Sequence, residues 1–472
     1  MAHNRLVPLI VAVALFMENM DATVIATSLP AIAADIGTDP LTLKLAVTSY
    51  LLSLAVFIPA SGWTADRFGA RTVFRAAIAI FVLGSIGCAL ASSLTDFVIA
   101  RIMQGMGGAM MTPVGRLVLV RTIDRRALVD AMALVTIPAL VGPVIGPPVG
   151  GFITTYASWH WIFLINVPIG LIGIVLVTRF IEDIRAEEPE RFDFTGMVLA
   201  GTGVAGLAFG LSVAGLDLLP WPAVAGLVAV GAISMTAYVR RARRVDSPVL
   251  DLSLLRLPTM RASLIGGSMF RLGIGALPFL VPVLLQLVFG LDPFESGLVT
   301  FSSALGALTM KTLAARILKR FGFKPVLVAN ALASAVFIVG CALFVPGTPY
   351  AVIFAILLIG GFFRSLQFTS INTLAYAEVE PARMSRATTL TSVAQQLAIS
   401  AGVAVGALVV DLTLALRGGG AVTASDFQPA FLVVGLISAA SALVFAQLPK
   451  DAGAELANRT PVATEGSDQR MG

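Results

Sequence analysis

Glu18 and Asp21 stand inside the first apolar run of a chain that keeps most charge out of such runs. They are three residues apart, so on a helix they share one face. A carboxylate in the middle of a bilayer is costly unless it meets water or a partner. Acids kept at that cost take up and release protons, hold a charged ligand, or lock to a neighbouring helix. Arg101 is the natural counter-charge. The first run crosses in one direction and the fourth in the other. Asp21 lies nine residues from Pro30, about 13 Å along a helix. Arg101 lies five residues past Asp96, about 8 Å by the same rise. Both therefore sit at similar depth. Gln104 and Gly108 follow Arg101 at i+3 and i+7, on the same stripe.

The second half carries cations instead. Arg271, Lys311 and Arg364 each interrupt an apolar run, and placement against lipid is disfavoured. Arg271 is expected to line a cavity. Lys311 and Arg364 either line it too or snorkel to a span end. Gln286, Gln367, Gln395 and Gln396 add polar groups. The two histidines, His3 and His160, are too few for a histidine site. Cys88 and Cys341 both lie in apolar runs and read as buried, inert thiols. No metal cluster, catalytic triad or GxxxxGK[ST] loop occurs. No cofactor and no enzymatic activity are expected.

These residues need membrane helices to position them. The chain has 472 residues, of which 57% are hydrophobic and 12% charged; soluble domains carry about 25% charged residues. Mean hydropathy is +0.92. Long continuous apolar runs, rather than short alternating ones, point to helices and not a barrel. Spans are expected near 6–30, 45–63, 73–92, 96–118, 128–156, 160–180, 194–214, 219–239, 262–289, 295–316, 323–345, 349–372, 384–412 and 427–447. The first run resembles a signal peptide, but Glu18 and Asp21 argue that it is an uncleaved span. Pro138, Pro143, Pro147 and Pro148 should bend the long run 128–156.

Charge then sets orientation. Alternate loops hold Arg67, Arg71 and Arg75; Arg121, Arg125 and Arg126; Arg185 and Arg191; Arg240, Arg241, Arg243, Arg244, Arg256 and Arg261; Arg316, Lys319, Arg320 and Lys324; Arg383 and Arg386. The other loops hold little beyond Lys44 and Arg417. The positive-inside rule makes the first set, and both termini, cytoplasmic. The net charge of +5 thus reports orientation rather than a nucleic-acid partner. Asp66-Arg67-Phe68-Gly69-Ala70-Arg71 is echoed by Lys319-Arg320-Phe321-Gly322-Phe323-Lys324. Both follow the second span of a half, which suggests two parallel repeats. The expected fold is an all-α integral membrane protein of fourteen spans. It divides into a six-helix bundle (1–180), linkers with two extra spans (181–261), a second six-helix bundle (262–448) and a disordered cytoplasmic tail (449–472).

Three further patterns carry a mechanical reading. Asp66, Arg67 and Arg71 sit at a cytoplasmic helix end, where ionic contacts can latch the halves. Gly62 and Gly69 would allow close approach and a tight turn. Gly142, Gly146 and Gly150 form a GxxxGxxxG stripe, beside Pro143, Pro147 and Gly151, for tight packing of a neighbouring helix.

Five segments resemble the major facilitator superfamily, in particular its fourteen-span drug:proton antiporter branch. Gly62 to Arg71 is similar to the motif between helices 2 and 3, departing at Ala70 and Thr72. Arg101-Ile102-Met103-Gln104-Gly105-Met106-Gly107-Gly108-Ala109 resembles RxxQGxGGA of the fourth helix. Gly142 to Gly151 resembles the antiporter signature of helix 5. Met20-Asp21-Ala22-Thr23-Val24-Ile25 with Leu29-Pro30, and Trp159 to Gly170, resemble the first-helix motif and the helix 5–6 junction. The resemblance covers nearly the whole chain and implies a bacterial inner-membrane exporter driven by protons, with Arg101 taking part in coupling. The acids of the first half suit cationic or amphipathic drugs and biocides. The bases of the second half suit an organic acid or metal chelate as the alternative cargo. Expected partners are a small-molecule substrate, protons and lipid, with no nucleic acid, and the chain is expected to be monomeric.

Overall fold

A computed structural model describes residues 3–123, 128–183, 185, 192–213 and 218–456. Arg125, Arg126, Arg191 and the tail beyond residue 456 lie outside the described residues. Among the described residues every regular element is a helix. The first run is interrupted. Helix α1 (His3–Val24) gives way to a 3-10 turn and then α2 (Leu29–Asp35). Pro30 in the first turn of α2 has no N–H to continue the ladder, and it restricts the residue before it. Pro59 likewise separates α3 (Lys44–Phe57) from α4 (Ser61–Phe68). Next come α5 (Ala70–Ala89), α6 (Leu94–Thr122), α7 (Leu128–Tyr156), α8 (Trp161–Leu164) and α9 (Asn166–Phe180). Helices α10 (Phe194–Val213) and α11 (Trp221–Ala242) follow.

The second half contains α12 (Pro258–Gly275), α13 (Leu277–Leu287), α14 (Pro293–Phe321), α15 (Phe323–Gly340), α16 (Tyr350–Leu374), α17 (Met384–Leu416) and α18 (Ala424–Phe445). The run expected at 262–289 is thus split, with Pro278 in the first turn of α13. Twelve helical stretches among the described residues are long and apolar enough to cross a membrane. Helices α6 and α7 stand outside that set. Each has 29 residues, about 43 Å at the helical rise. Helix α6 carries Asp96, Arg101, Arg116 and Arg121, which lower its hydropathy without shortening it.

Packing follows the sequence halves. Helix α1 packs on α6, α7 and α9, and α6 also packs on α3 and α5. In the second half α12 packs on α17 and α18, α14 on α16, and α15 on α16 and α18. Helices α10 and α11 pair with each other and lean on α3 and α17 through α10. The halves meet along α7–α14 and α3–α17. The echoed loops share a backbone device as well as residues. Gly69 (φ +94°) joins α4 to α5, and Gly322 (φ +81°) joins α14 to α15. Both φ values belong to a region that glycine alone adopts easily. Residues 449–456 depart from the expected disorder. They form turns against α15, where Lys324 Nζ donates to the Leu448 carbonyl at 2.6 Å and Gly453 lies on the Phe323 ring.

Candidate functional site

Asp21 lies where five helices converge. Its Oδ2 accepts from Arg101 Nη1 at 2.8 Å. Its Oδ1 accepts from Gln104 Nε2 and from Asn166 Nδ2, each at 2.8 Å. Behind them, Ser85 Oγ on α5 accepts from Gln104 Nε2 at 2.9 Å and from Asn166 Nδ2 at 3.2 Å. Arg101 Nη1 also donates to Gln104 Oε1 at 2.5 Å, and the guanidinium lies 4.2 Å from the centre of the Tyr50 ring on α3. Asp21, Gln104 and Asn166 are 0% exposed and Arg101 is 1% exposed. A buried ion pair survives desolvation only when hydrogen bonds satisfy its remaining lone pairs and protons, and here Gln104 and Asn166 do so.

Small residues bring the helices this close. A Cβ on Gly84 would lie 2.6 Å from the Gln104 nitrogen, and one on Gly105 would lie 2.7 Å from the Tyr50 carbonyl oxygen. The glycines around Gln104 therefore set α6 against α5 and α3. The expected pairing of Asp21 with Arg101 and Gln104 is present. Sequence reasoning does not single out Asn166, Ser85 or Tyr50. Asn166 carries one signal, a lone amide in an apolar run; Ser85, a small hydroxyl among many, carries none.

Glu18 shares the face but makes none of the hydrogen bonds around Asp21; its Cγ and Tyr50 Oη would both lie within 4 Å of a Cβ on Gly108. Its Oε2 accepts from Thr112 Oγ1 at 2.8 Å, and the side chain is half-buried. The acids are thus separated along α6. One is sealed and charge-balanced; the other is partly open and held by a hydroxyl.

At the basic-loop end, Asp66 pairs with Arg121 of α6 at 2.6 Å, a partner within its own half. Arg67 is exposed and Arg71 half-buried. Gly69 has a distinct task. The Asp183 carboxylate occupies the space a Cβ would need, and it accepts from Thr72 N at 3.4 Å and from Arg185 Nη2 at 2.9 Å. Burial pushes the Asp183 carboxyl up, but the bonds from Arg185 and Thr72 outweigh this and hold it below the ordinary aspartate range. Gly62 corrects an expectation, because a Cβ there would meet nothing within 4 Å; close approach is not its reason. Gly69→Ala should therefore destabilise the folded protein by about 1–3 kcal/mol, while Gly62→Ala leaves it unchanged. Thermal unfolding of the purified variants checks both.

The glycine stripe of α7 faces its own half. Gly142 lies against Phe16 and Met20, Gly146 against Thr23, and Gly150 against Val24 and Thr27, all in or just past α1. Contact with the other half comes from the adjoining face. Gly151 lies against Pro293 and Phe294 of α14, and Gly297 of α14 lies against Pro147 and Pro148. Pro143 is half-buried on α7.

Polar contacts between the halves gather at the end opposite the basic loops. Lys44 Nζ meets Asp411 Oδ2 at 2.8 Å, with side chains 1% and 20% exposed. Gln286 Nε2 donates to the Thr27 carbonyl at 2.8 Å, and Phe294 N to Thr155 Oγ1 at 3.2 Å. Arg417, the other cation of that end, pairs with Asp426 at 2.8 Å. In the sequence Lys44 and Arg417 are sparse loop charges; in the fold each is one half of an ion pair.

The three cations of the second half diverge. Arg271 is 2% exposed; its Nη2 donates to Asn372 Oδ1 at 2.6 Å, and its guanidinium lies 5.6 Å from the Phe368 ring centre. Arg364 is half-buried and borders a cavity of about 20 Å³ with Ile274, Ser303 and Ser334. Lys311 is exposed on α14, so it does not join Arg271. A larger apolar groove of about 240 Å³ runs between α1, α5 and α9, past Met17 and Gly170. Among the described residues no group of three or more His, Cys, Asp or Glu is placed to hold a metal ion.

The geometry can be set beside known proteins. A Major Facilitator Superfamily model matches residues 11–403 and 263–464. The sequence is 38% identical over 446 residues, 94% of each chain, to "Putative multidrug resistance protein MdtD" of Salmonella heidelberg (strain SL476). It is 38% identical over 448 residues to the protein of the same name from Escherichia coli (strain 55989 / EAEC), again covering 94% of each. Among solved structures, a D-xylose-proton symporter matches with a TM-score of 0.68 at 16% identity, covering 95% of this chain and 98% of that one. A bacterial homologue of the human lysosomal transporter Spinster, in an inward-facing and occupied conformation, matches with a TM-score of 0.65 at 14% identity, covering 93% and 95%. At such identities the likeness concerns the fold. The chain, a multi-pass membrane protein, belongs to the Major Facilitator Superfamily.

Proposed function

We propose that this transporter exports small molecules in exchange for protons, by alternating access between its two halves. The observation that carries the reading is the sealed Asp21–Arg101 pair, held by Gln104 and Asn166. A proton on Asp21 removes the counter-ion of Arg101 and one acceptor for the surrounding donors. The packing of α1 against α6 and α9 then loses its electrostatic reason. A change at one carboxyl becomes a change in how three helices meet, which is what a coupling residue must achieve. The inter-half polar contacts support the access cycle. They lie at the end opposite the basic loops, while Asp66 at the basic end bonds within its own half.

Counting α6 and α7 with the twelve apolar stretches gives fourteen spans, divided six, two and six. The basic loops and both termini then face the cytoplasm of an inner membrane. The names of the relatives support drug-like cargo. The test uses proteoliposomes holding a pH-sensitive dye and an imposed proton gradient. Adding ethidium, tetraphenylphosphonium or an aromatic carboxylate should move protons against the direction of substrate. Proton coupling is wrong if no substrate moves protons and transport persists after an uncoupler collapses the gradient.

A further inference from the structure

We infer that the second half holds a docking site for the carboxylate of a small organic anion, built on Arg271 and Asn372 between α12 and α16. The inference rests on the export reading and names the substrate class for it.

Among the described residues, the other fully buried cations of the membrane helices have carboxylates. Arg101 has Asp21 and Lys44 has Asp411. Arg271 is as buried as they are, at 2% exposed, yet its polar contact is the neutral amide of Asn372. Its Nε is buried with no hydrogen-bond partner. The surrounding helices cannot supply an acid. Helices α12, α15 and α16 contain no Asp or Glu. Asp411 of α17 is paired with Lys44, and Asp426 of α18 with Arg417. Glu378, beyond the end of α16, accepts from Thr259 N and Oγ1 at 3.0 and 2.7 Å. Asp251 bonds Arg383 and Ser253. An unpaired charge in an apolar interior is costly. That cost is relieved if the counter-ion arrives with the ligand.

The geometry around Arg271 suits a carboxylate. A guanidinium presents a planar fork that a carboxylate fills with two parallel bonds. Nη2 is held by an amide oxygen that an incoming carboxylate oxygen can replace, and Nε has no partner to displace. Asn372 is exposed although it lies within a membrane helix, so a ligand reaches it without unpacking the bundle. When it releases Nη2, its own amide N–H can donate to the ligand. Phe368 stands one turn before Asn372 on the same face of α16, and Tyr376 lies four residues after it, just past the helix end. Phe368 meets Phe270 of α12 edge-on at 6.2 Å, giving an apolar body somewhere to rest. Tyr376 Oη lies 3.1 Å from Thr391 Oγ1. Arg364 continues the stripe two turns before Asn372, about 12 Å away, and adds positive charge. In the first half, by contrast, the fully buried acid Asp21 is already balanced by Arg101.

The test is thermal unfolding of the full-length protein in neutral detergent at fixed ionic strength. The probes are benzoate, salicylate and fusidate, with ethidium and tetraphenylphosphonium as cationic counterparts. At least one carboxylate should raise Tm of the wild type. R271Q and N372A should weaken the apparent affinity about 10- to 100-fold, R271K less so, and K311Q not at all. Because Asn372 is exposed, N372A keeps the test valid should R271Q fold poorly. The site is refuted if no carboxylate stabilises the wild type, or if the stabilisation survives in N372A and R271Q. It is also refuted if phosphatidylglycerol stabilises while soluble carboxylates do not, since the occupant is then a lipid headgroup. Proton movement driven by ethidium alone would leave the export reading standing without the anion site. Carboxylate binding without substrate-driven proton movement would leave the site standing without the coupling.

Discussion

Asp21→Asn is expected to abolish substrate-driven proton movement in proteoliposomes and to lower the thermal stability of the protein. Both effects arise from one geometry. The substituted side chain presents an amide where Arg101 needs a carboxylate, so a guanidinium that is 1% exposed loses its counter-ion. Removing one partner of a buried pair costs about 3–5 kcal/mol, because the other charge is left uncompensated. The stability loss alone says nothing about coupling. The double variant Asp21→Asn, Arg101→Gln separates the two. It removes both charges and should recover most of the stability, since neutral amides can bond one another and Gln104, Asn166 and Ser85 remain. It should not recover proton movement, because the sealed carboxyl that joins α1, α6 and α9 is then gone. Normal coupling in the double variant would remove Asp21 from the mechanism. Glu18→Gln is the companion measurement. Glu18 is half-buried and bonded only to Thr112 among the described partners, and its loss should leave the sealed pair, and proton movement, in place.

Breaking the Lys44–Asp411 pair should open the end opposite the basic loops. The pair joins α3 to α17 across the two halves at 2.8 Å. Lys44→Met leaves Asp411 without a partner in the closed arrangement but returns it to water in an open one. Asp411 keeps 20% of its side chain exposed, so solvent screens part of the penalty. The lower end for a buried pair, about 3 kcal/mol, is the expected bias, a shift of about 100-fold in the open-to-closed ratio. The measurement is the rate at which a membrane-impermeant maleimide labels Gln286→Cys, a position whose amide bonds to the Thr27 carbonyl at the same end. Cys88 and Cys341 are buried and add little background. Labelling should accelerate in Lys44→Met and return toward the parent rate in the swap Lys44→Asp, Asp411→Lys. An unchanged rate in Lys44→Met would show that the pair does not hold the halves together.

Much of the first half is legible in the sequence because its signals are local. Hydropathy and helical rise place Asp21 and Arg101 at one depth, and the two side chains meet. The RxxQGxGGA run puts Gln104 on the Arg101 stripe, and it bonds the same carboxylate. The RFGx[RK] echo carries a backbone requirement as well as charges, and Gly69 and Gly322 both have positive φ. Proline placement foretells bends but not where runs split. Pro30, Pro59 and Pro278 each begin a new helix or turn inside an expected span. A proline's effect depends on whether neighbours supply other partners for the freed backbone groups.

The chain's own pattern determined that it is helical and membrane-embedded, how deep Asp21 and Arg101 lie, and which face of its helix each residue occupies. These follow from a period of 3.6 residues, a fixed rise and the cost of charge in lipid. Which helix comes alongside that face was decided in three dimensions. The GxxxGxxxG stripe of α7 could have met the other half; it meets α1, and Gly151 meets α14 instead. Asp66 has Arg67 and Arg71 close in sequence, yet Arg121 takes it. Lys44 and Asp411 stand 367 residues apart and form one ion pair. Close approach in a bundle depends on where small residues line up on both partners at once, and a single helix carries only its own side of that match. The two opening acids show the difference: depth and face were theirs from the start, while packing sealed Asp21 and left Glu18 half open.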